Sequence, residues 1–556
     1  MRSAAARLCL PAVLVLLVLP IRGQTLLWLS HYGNTTSDDD NSGFRMAMSN
    51  AGDLYCVGTF GATTFDMDGH VVTVDNESDI VLAKLDTAGH AVWAISAGGD
   101  CQPGSNAVEG AWCVHFDEAT EHVLLTGLFA GDATFGSFTV GGDCFGTNMF
   151  LSAYDTDGDC LWVNSVLTGT GGSVSDVLVD PASEILWFLD FDMYALFVDT
   201  APQTFSGEGA IIARYGSDGD LHGARRVMPH GSIYDAEWIG DDLLLAGEYL
   251  PGDSLWETPL VCVSPISDGF LAQVDTSGGL QWITTVSSDD YVGLGEVKRL
   301  PSGKIIVLGS FNGHAYFSSD TLTASSGMFS HFIAAYDPNG QLLWATPLLG
   351  QDVLLPTDLA LGPDGSIYVQ GATTTPFTIG SNTIGIDASS EMFVVKLDTL
   401  GNCTGALRMG RVSPYNPGSM LVNDKGLFVS FDYDSTMVVD GTTVSLSGTG
   451  AQDLFVARFD SLSGFTGIER MSVSEQLHIY ANPNNGLCTI DLPQSLKASD
   501  GLVLSVYDNT GQLVQRTPFE FTDKGLRLDV RAQAKGVFQV ELRDGAQRYS
   551  GSIVFE

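Results

Sequence analysis

One arrangement of apolar and polar residues recurs seven times along the chain. Each copy is an apolar strand that ends in an acidic or glycine turn. The copies are Asp79–Asp86, Asn148–Asp155, Gly209–Gly216, Asp268–Asp275, Ser330–Asp337, Glu391–Asp398 and Asp453–Asp460. Their ends lie 59 to 69 residues apart. A second apolar strand, closing on Gly and an aromatic residue, keeps the same period at Leu54–Phe60, Val123–Phe129, Leu243–Tyr249 and Ile305–Phe311, with a weaker copy from Ile367. Two units lose that Gly, near Leu186 and Leu427. A third landmark is a Trp strand after the acidic turn, at Trp93, Trp162, Trp282 and Trp344.

Within a unit, short runs alternate with period two between Gly, Asp and Asn turns, which predicts strands. In the first unit these runs are Phe44–Ser49, Leu54–Phe60, Val71–Val74 and Asp79–Leu85. No segment holds a 3.6 period over ten residues, so helical solenoids are excluded. Four strands per unit, repeated radially, predict an all-β chain whose main part is a seven-bladed β-propeller. Leu26–Gly33 matches the Trp strand of the other units and precedes the first full one. It is expected to complete the last blade and so hold the ring shut by ladder hydrogen bonds.

These units resemble the bacterial seven-bladed β-propeller repeat family, most plainly at Asp79–Trp93 and Glu391–Asn402. The resemblance runs from residue 24 to about 471 and is weakest in the third unit, which lacks both the Trp and the Gly. It implies a fold and very little about activity.

The flanks carry addresses. Residues 1–23 read as a signal peptide: Arg2 and Arg7, an apolar run from Leu8 to Leu19, Pro20, and Gly23 before a cleavage point at Gln24. No other stretch reaches transmembrane length. After a polar linker at 472–476, residues 477–556 form a separate all-β segment, read as a small β-sandwich. It resembles the type A C-terminal sorting domain of the type IX secretion pathway of Bacteroidota. Three motifs carry that likeness: Asn482, Pro483, Asn484, Asn485 and Gly486; then Tyr507, Asp508 and Gly511; then Gly536. The resemblance implies export, delivery to the medium or cell surface, and the type IX machinery as a partner.

Charge narrows the remaining choices. With 25 Lys+Arg against 66 Asp+Glu, a formal net charge of −41 excludes most nucleic-acid binding and disfavours anionic membranes. Eight cysteines remain after the leader, and Cys101, Cys144 and Cys160 sit close enough in adjacent units for a disulfide among them. No zinc spacing, HExxH, GxSxG, Walker or dinucleotide motif is found. Two acidic constellations are candidate metal sites, with calcium as the candidate ion. Asp155, Asp157 and Asp159 alternate in one turn, although a turn in which Asp bonds its own backbone explains them without metal. Asp176, Asp235, Glu296 and Asp358 fall at or near one equivalent position in four consecutive innermost strands, Asp235 shifted by one if its turn is short, where other units carry Arg45, Cys113 and Ser419. Their bland reading is hydrogen bonding to the neighbouring blade. The functional expectation is a non-catalytic binding or adhesion scaffold for an extracellular glycan or protein. The alternative is a polysaccharide hydrolase whose acid and base come from several blades.

Overall fold

The computed structural model describes residues 26–555 apart from 34–41, 62–63, 74–78, 100, 102–108, 145–147, 169–170, 181–182, 193, 199–201, 276, 326–328, 351–353, 381, 385–389, 410–417, 434–436, 440–441, 446–452, 460–474, 481–482, 492–502, 508–512, 519–525, 532–534 and 545–546. The signal peptide and residues Asn482, Asp508 and Gly511 therefore lie outside the described residues. The chain divides into two compact units, 1–468 and 469–556. Every regular element among the described residues is a β-strand.

The first unit contains seven antiparallel sheets with a common four-strand plan. Sheet I joins Ser42–Met48, Leu54–Phe60, Asp79–Leu85 and Ala91–Gly98 in that order. Sheets II to VI repeat the plan, starting from Gly110–Asp117, Gly172–Val179, Ser232–Ile239, Tyr291–Arg299 and Leu354–Leu361. Sheet VII takes three strands from the end of the unit, Met420–Asn423, Gly426–Tyr433 and Asp453–Phe459. Its fourth is Leu26–Tyr32, which pairs antiparallel with Asp453–Phe459. The N-terminal strand thus takes the place of the Trp strand in the last sheet.

The run at Val71 is a correction to the expected strand order. His70–Thr73 forms a hairpin with Thr64–Met67, and the fourth strand of sheet I is the Trp strand. Hairpins at the corresponding place in four later units pair with the preceding sheet, as Ala133–Val140 does with Ala91–Gly98. Period-two alternation looks the same in a hairpin and in a sheet strand, so the pattern alone does not separate them. The disulfide joins Cys101 to Cys144, with Cα atoms 5.6 Å apart. Cys160 stays free.

Each sequence landmark answers a packing demand. The Gly of the second strand faces a register shift in the first strand: a Cβ on Gly127 would lie 2.0 Å from Gly110 O, and one on Gly247 would lie 2.0 Å from Ser232 O. The Asp of the acidic turn accepts two backbone amides with one oxygen. Asp86 Oδ1 takes Ala88 N and His90 N at 2.8 and 3.0 Å, and Asp398 Oδ1 takes Leu400 N and Asn402 N at 2.9 Å each. The turn glycine then adopts positive φ and leaves bare backbone on which the Trp of the preceding sheet lies. Trp28 covers Gly89, Trp93 covers Gly158, Trp162 covers Gly219, Trp282 covers Gly340 and Trp344 covers Gly401. Seven apolar clusters fill the spaces between successive sheets, so each sheet is buried on both faces by its neighbours.

The second unit has a five-stranded and a three-stranded sheet. Cys488, Ile490, Val506, Leu528, Phe538, Val540 and Ile553 form their shared core. Glu475–Gln476, expected in a linker, instead pairs in parallel with Tyr549–Ser550.

Candidate functional site at the meeting of the first strands

The first strands of sheets I to VII neighbour one another in sequence order. The first strand of sheet I also meets sheet VII. Arg45 Nη1 donates to Gly418 O at 3.1 Å, and Ser430 Oγ donates to Phe44 O at 2.6 Å. A cavity of about 510 Å³ lies where these strands converge, and Arg45, Cys113, Asp176, Asp235, Glu296, Asp358 and Ser419 all line it.

Their equivalence is structural. Arg45, Cys113, Asp176, Asp235, Glu296 and Asp358 each follow directly on a register shift in their strand. In sheets I, II, IV, V and VI they pair with the residue before the landmark Gly: Val57, Thr126, Ala246, Leu308 and Gln370. The shift turns one side chain per sheet toward the convergence.

Two of the four acids bond the next sheet. Asp235 Oδ2 accepts Val297 N at 2.7 Å, and Asp358 Oδ2 accepts Met420 N at 2.6 Å. Asp176 Oδ1 instead accepts its own sheet's Val177 N at 2.8 Å, with Cys113 Sγ 3.7 Å away. Lys298, not singled out by its sequence context, sits among these acids. Its Nζ lies 3.1 Å from Asp235 Oδ2 and 3.9 Å from Glu296 Oε2. Glu237 lines the same cavity. Period two could have found both residues, because Glu237 and Lys298 stand two places after Asp235 and Glu296 on the same strand faces.

Charge in the cavity is divided rather than uniformly negative. Burial, reinforced by the Asp235 charge, pushes the Asp176 and Glu296 carboxyls well above the usual carboxylate range. Burial also raises Asp358, and it lifts Glu237 to about 7 against the pull of Lys298. Burial opposes the charge on Lys298, yet Asp235, Glu296, Glu237 and Asp176 outweigh it and hold the ammonium firmly protonated. Repulsion among the acids is thus met by backbone donors, by one ammonium and by retained protons. Among the described residues no group of three or more His, Cys, Asp or Glu is arranged to hold a metal ion.

The Asp155 loop is one of the repeat's turns. Asp155 Oδ1 accepts Asp157 N and Asp159 N at 3.0 and 2.9 Å, as Asp86 does in its own unit. Gly158 there has φ 89° and carries the Trp93 ring.

Aromatic rings stand at and near the cavity. Trp112, 44% exposed, and Tyr234 line the cavity. Tyr291 lies close to Tyr234 across Gly293, and its ring meets Phe329 edge-on at 5.5 Å. Phe329 is 59% exposed, and Val261 and Val263 stand out on the loop whose Ser267 bridges to Tyr291.

In the second unit, the first sorting motif forms a built turn. Asn484 is buried, its N–H donates to Val554 O at 2.8 Å, and its Oδ1 accepts Gly486 N at 2.7 Å. Gly486 has φ 91° under Arg531 and Phe555, whereas Pro483 and Asn485 are exposed. Tyr507 sits at a register shift opposite Leu513, and Gly536 opens the strand that pairs with Phe555. Residues 478–556 match the secretion system C-terminal sorting domain. That match supports type IX secretion, with delivery to the medium or the cell surface and recognition by the type IX machinery.

The chain has a distant curated relative, an uncharacterized WD repeat-containing protein of Acanthamoeba polyphaga mimivirus. It is 23% identical over 355 residues, which cover 58% of this chain and 23% of the viral protein. The chain therefore spans less than a quarter of that relative. Among solved structures, a Dyadobacter fermentans protein of unknown function has 10% identity and a TM-score of 0.34, over 62% of this chain and 93% of its own. Morganella morganii TcdA4 has 9% identity and a TM-score of 0.21, over 93% of this chain and 22% of its own. No helix of the described residues is long and apolar enough to cross a membrane.

Proposed function

We propose that the first unit is a seven-bladed β-propeller, exported by the type IX route, that acts as a non-catalytic binding scaffold. The aromatic rings at and near the cavity, Trp112, Tyr234, Tyr291 and Phe329, are its binding face. The observation that carries this reading is the set of exposed rings, Trp112 at the cavity and Phe329 edge-on to Tyr291 beside Tyr234. The acids fit a structural role beside it. Asp235 and Asp358 tie adjacent sheets, and Lys298 pairs with Asp235.

The test uses the full chain with a panel of insoluble polysaccharides and host-cell envelopes. Retention that falls at least tenfold in both Trp112→Ala and Phe329→Ala, without release of reducing sugar, is the expected result. Sugar release that disappears in Glu296→Gln would replace this reading with the hydrolase.

A further inference from the structure

The repeat uses an indole as the peg between one sheet and the next. In five interfaces the Trp ring lies on the next turn's glycine: a Cβ there would meet it at 2.5 Å for Gly89, 3.2 Å for Gly158, 2.6 Å for Gly219, 2.5 Å for Gly340 and 2.7 Å for Gly401. Four of those indoles also donate Nε1–H to a carbonyl of the turn, at Thr87, Thr156, Ser217 and Thr399. Trp282 donates instead to Gln273 Oε1 at 2.8 Å.

Between sheets III and IV the peg is missing. The register identifies the position without ambiguity. Trp93 pairs with Lys84, Trp162 with Ala153, Trp282 with Gln273 and Trp344 with Ala335, each immediately before the same irregularity. In sheet III the matching partner of Arg214 is Gly223. A Cβ on Gly223 would meet nothing within 4 Å. The socket stays open as a cavity of about 310 Å³ with Leu186, Ile212 and Leu243 on its apolar side.

A second ring has moved to the socket without filling it. Trp256, in the turn of the hairpin Ser254–Pro259, approaches Gly278, where an added Cβ would lie 3.0 Å from the indole. Arg225 stacks on it with 5.5 Å from Cζ to the ring, and its Nη1 donates to Ser277 O at 2.5 Å. Trp256 Nε1 is itself buried and has no partner among the described residues. In the five pegged interfaces one indole covers the glycine. Here an indole and a guanidinium form a wall, and the space between wall and apolar side is vacant.

We propose that this socket binds a small planar aromatic molecule of about indole size, at a site separate from the aromatic face of the convergence cavity. The size argument comes from the repeat itself, because the strand at the Trp register carries an indole in five other interfaces and is bare at Gly223 here. The ligand ring takes the place of that side chain. Its faces meet Leu186, Ile212 and Trp256.

The test is a titration of the full chain with 5-fluoroindole followed by fluorine NMR, with N-acetyl-tryptophanamide in a parallel arm to separate a free molecule from a peptide side chain. One saturable site is expected for 5-fluoroindole. Ile212→Trp, which fills the cavity from within, is expected to weaken it at least tenfold, with unchanged circular dichroism. Trp256→Ala is expected to weaken it severalfold, while Trp112→Ala leaves it intact and separates this site from the proposed binding face. Absence of saturable binding, or equal binding by Ile212→Trp, would overturn the proposal. Binding of the amide but not of 5-fluoroindole would also overturn it, because the socket would then serve a protein partner.

Discussion

Replacing Lys298 by Met removes the one ammonium that faces Asp235 and Glu296 while keeping most of the side chain's length. At 3.1 Å and an effective dielectric near 20, the Lys298–Asp235 attraction is about 5 kcal/mol before any desolvation is counted. The Glu296 carboxyl, 3.9 Å away, adds to that attraction. Breaking a buried pair typically costs roughly 3–5 kcal/mol, since it leaves an uncompensated charge. The Lys298 side chain keeps 31% exposure, so solvent screening lowers the expectation to roughly 2–3 kcal/mol. The sign of the pH dependence follows from the acids. With the ammonium gone, Asp176, Glu296 and Asp358, already pushed above their usual range by burial, lose a positive neighbour, and the folded state holds protons there more strongly. An acid whose folded pKa exceeds its unfolded one gives stability that is complete below the unfolded pKa and is lost as pH rises through the folded pKa. The gap between Lys298→Met and wild type is therefore expected to be narrow at pH 5 and widest at pH 8, with Lys298→Arg close to wild type. Urea midpoints of the full chain at both pH values measure it. A gap of equal size at pH 5 and pH 8 would show that only apolar packing was lost, and the electrostatic reasoning would fall.

Other expectations concern pH, closure and export. Burial lifts Asp190 to about 8, so its stabilising proton is lost as pH rises through that value; the wild-type urea midpoint should fall between pH 6 and 9, and Asp190→Asn should flatten the fall. A parallel fall in the variant would remove Asp190 from the account. Trp28→Ala strips the half-buried ring from Gly89 and Phe428, at roughly 2–3 kcal/mol, and deletion of residues 24–33 should cost more because it also unpairs Asp453–Phe459. Unchanged thermal unfolding of the deletion would mean that this pairing contributes nothing. Removing residues 478–556 should leave the first unit folded but retained in the periplasm of a type IX-competent host, as cell fractionation would report; normal delivery would contradict a sorting role.

The third strands were readable because their turns leave few options. One Asp oxygen must hold two amides, and a glycine must both take positive φ and lie bare under a Trp, so residue types recur at Asp86, Gly89 and their counterparts. The arc of Asp176, Asp235, Glu296 and Asp358 was readable because a register shift places one residue per sheet at the convergence. Lys298 and Glu237 escaped notice since a charged residue on a strand is ordinarily solvent-facing, and only the meeting of sheets IV and V gives them a common environment. The hairpin at His70–Thr73 was misread because its pairing partner, not its own alternation, decides where it belongs. The Gly223 socket could be seen as a missing Trp in the sequence, but not as a cavity, because Trp256 reaches it from another element.

The pairing of Leu26–Tyr32 with Asp453–Phe459 also constrains the order of assembly. The two strands are more than four hundred residues apart in the chain, so this contact carries the largest loop-closure entropy among the sheet pairings of the first unit. Synthesis delivers one partner at the start and the other near the end. Until Phe459 has been made, Leu26–Tyr32 has no strand to join, and any fragment that stops earlier keeps an unpaired edge able to recruit other chains. Completion of sheet VII therefore reports that the whole first unit has been synthesised, and a prematurely terminated chain is marked by its own open strand.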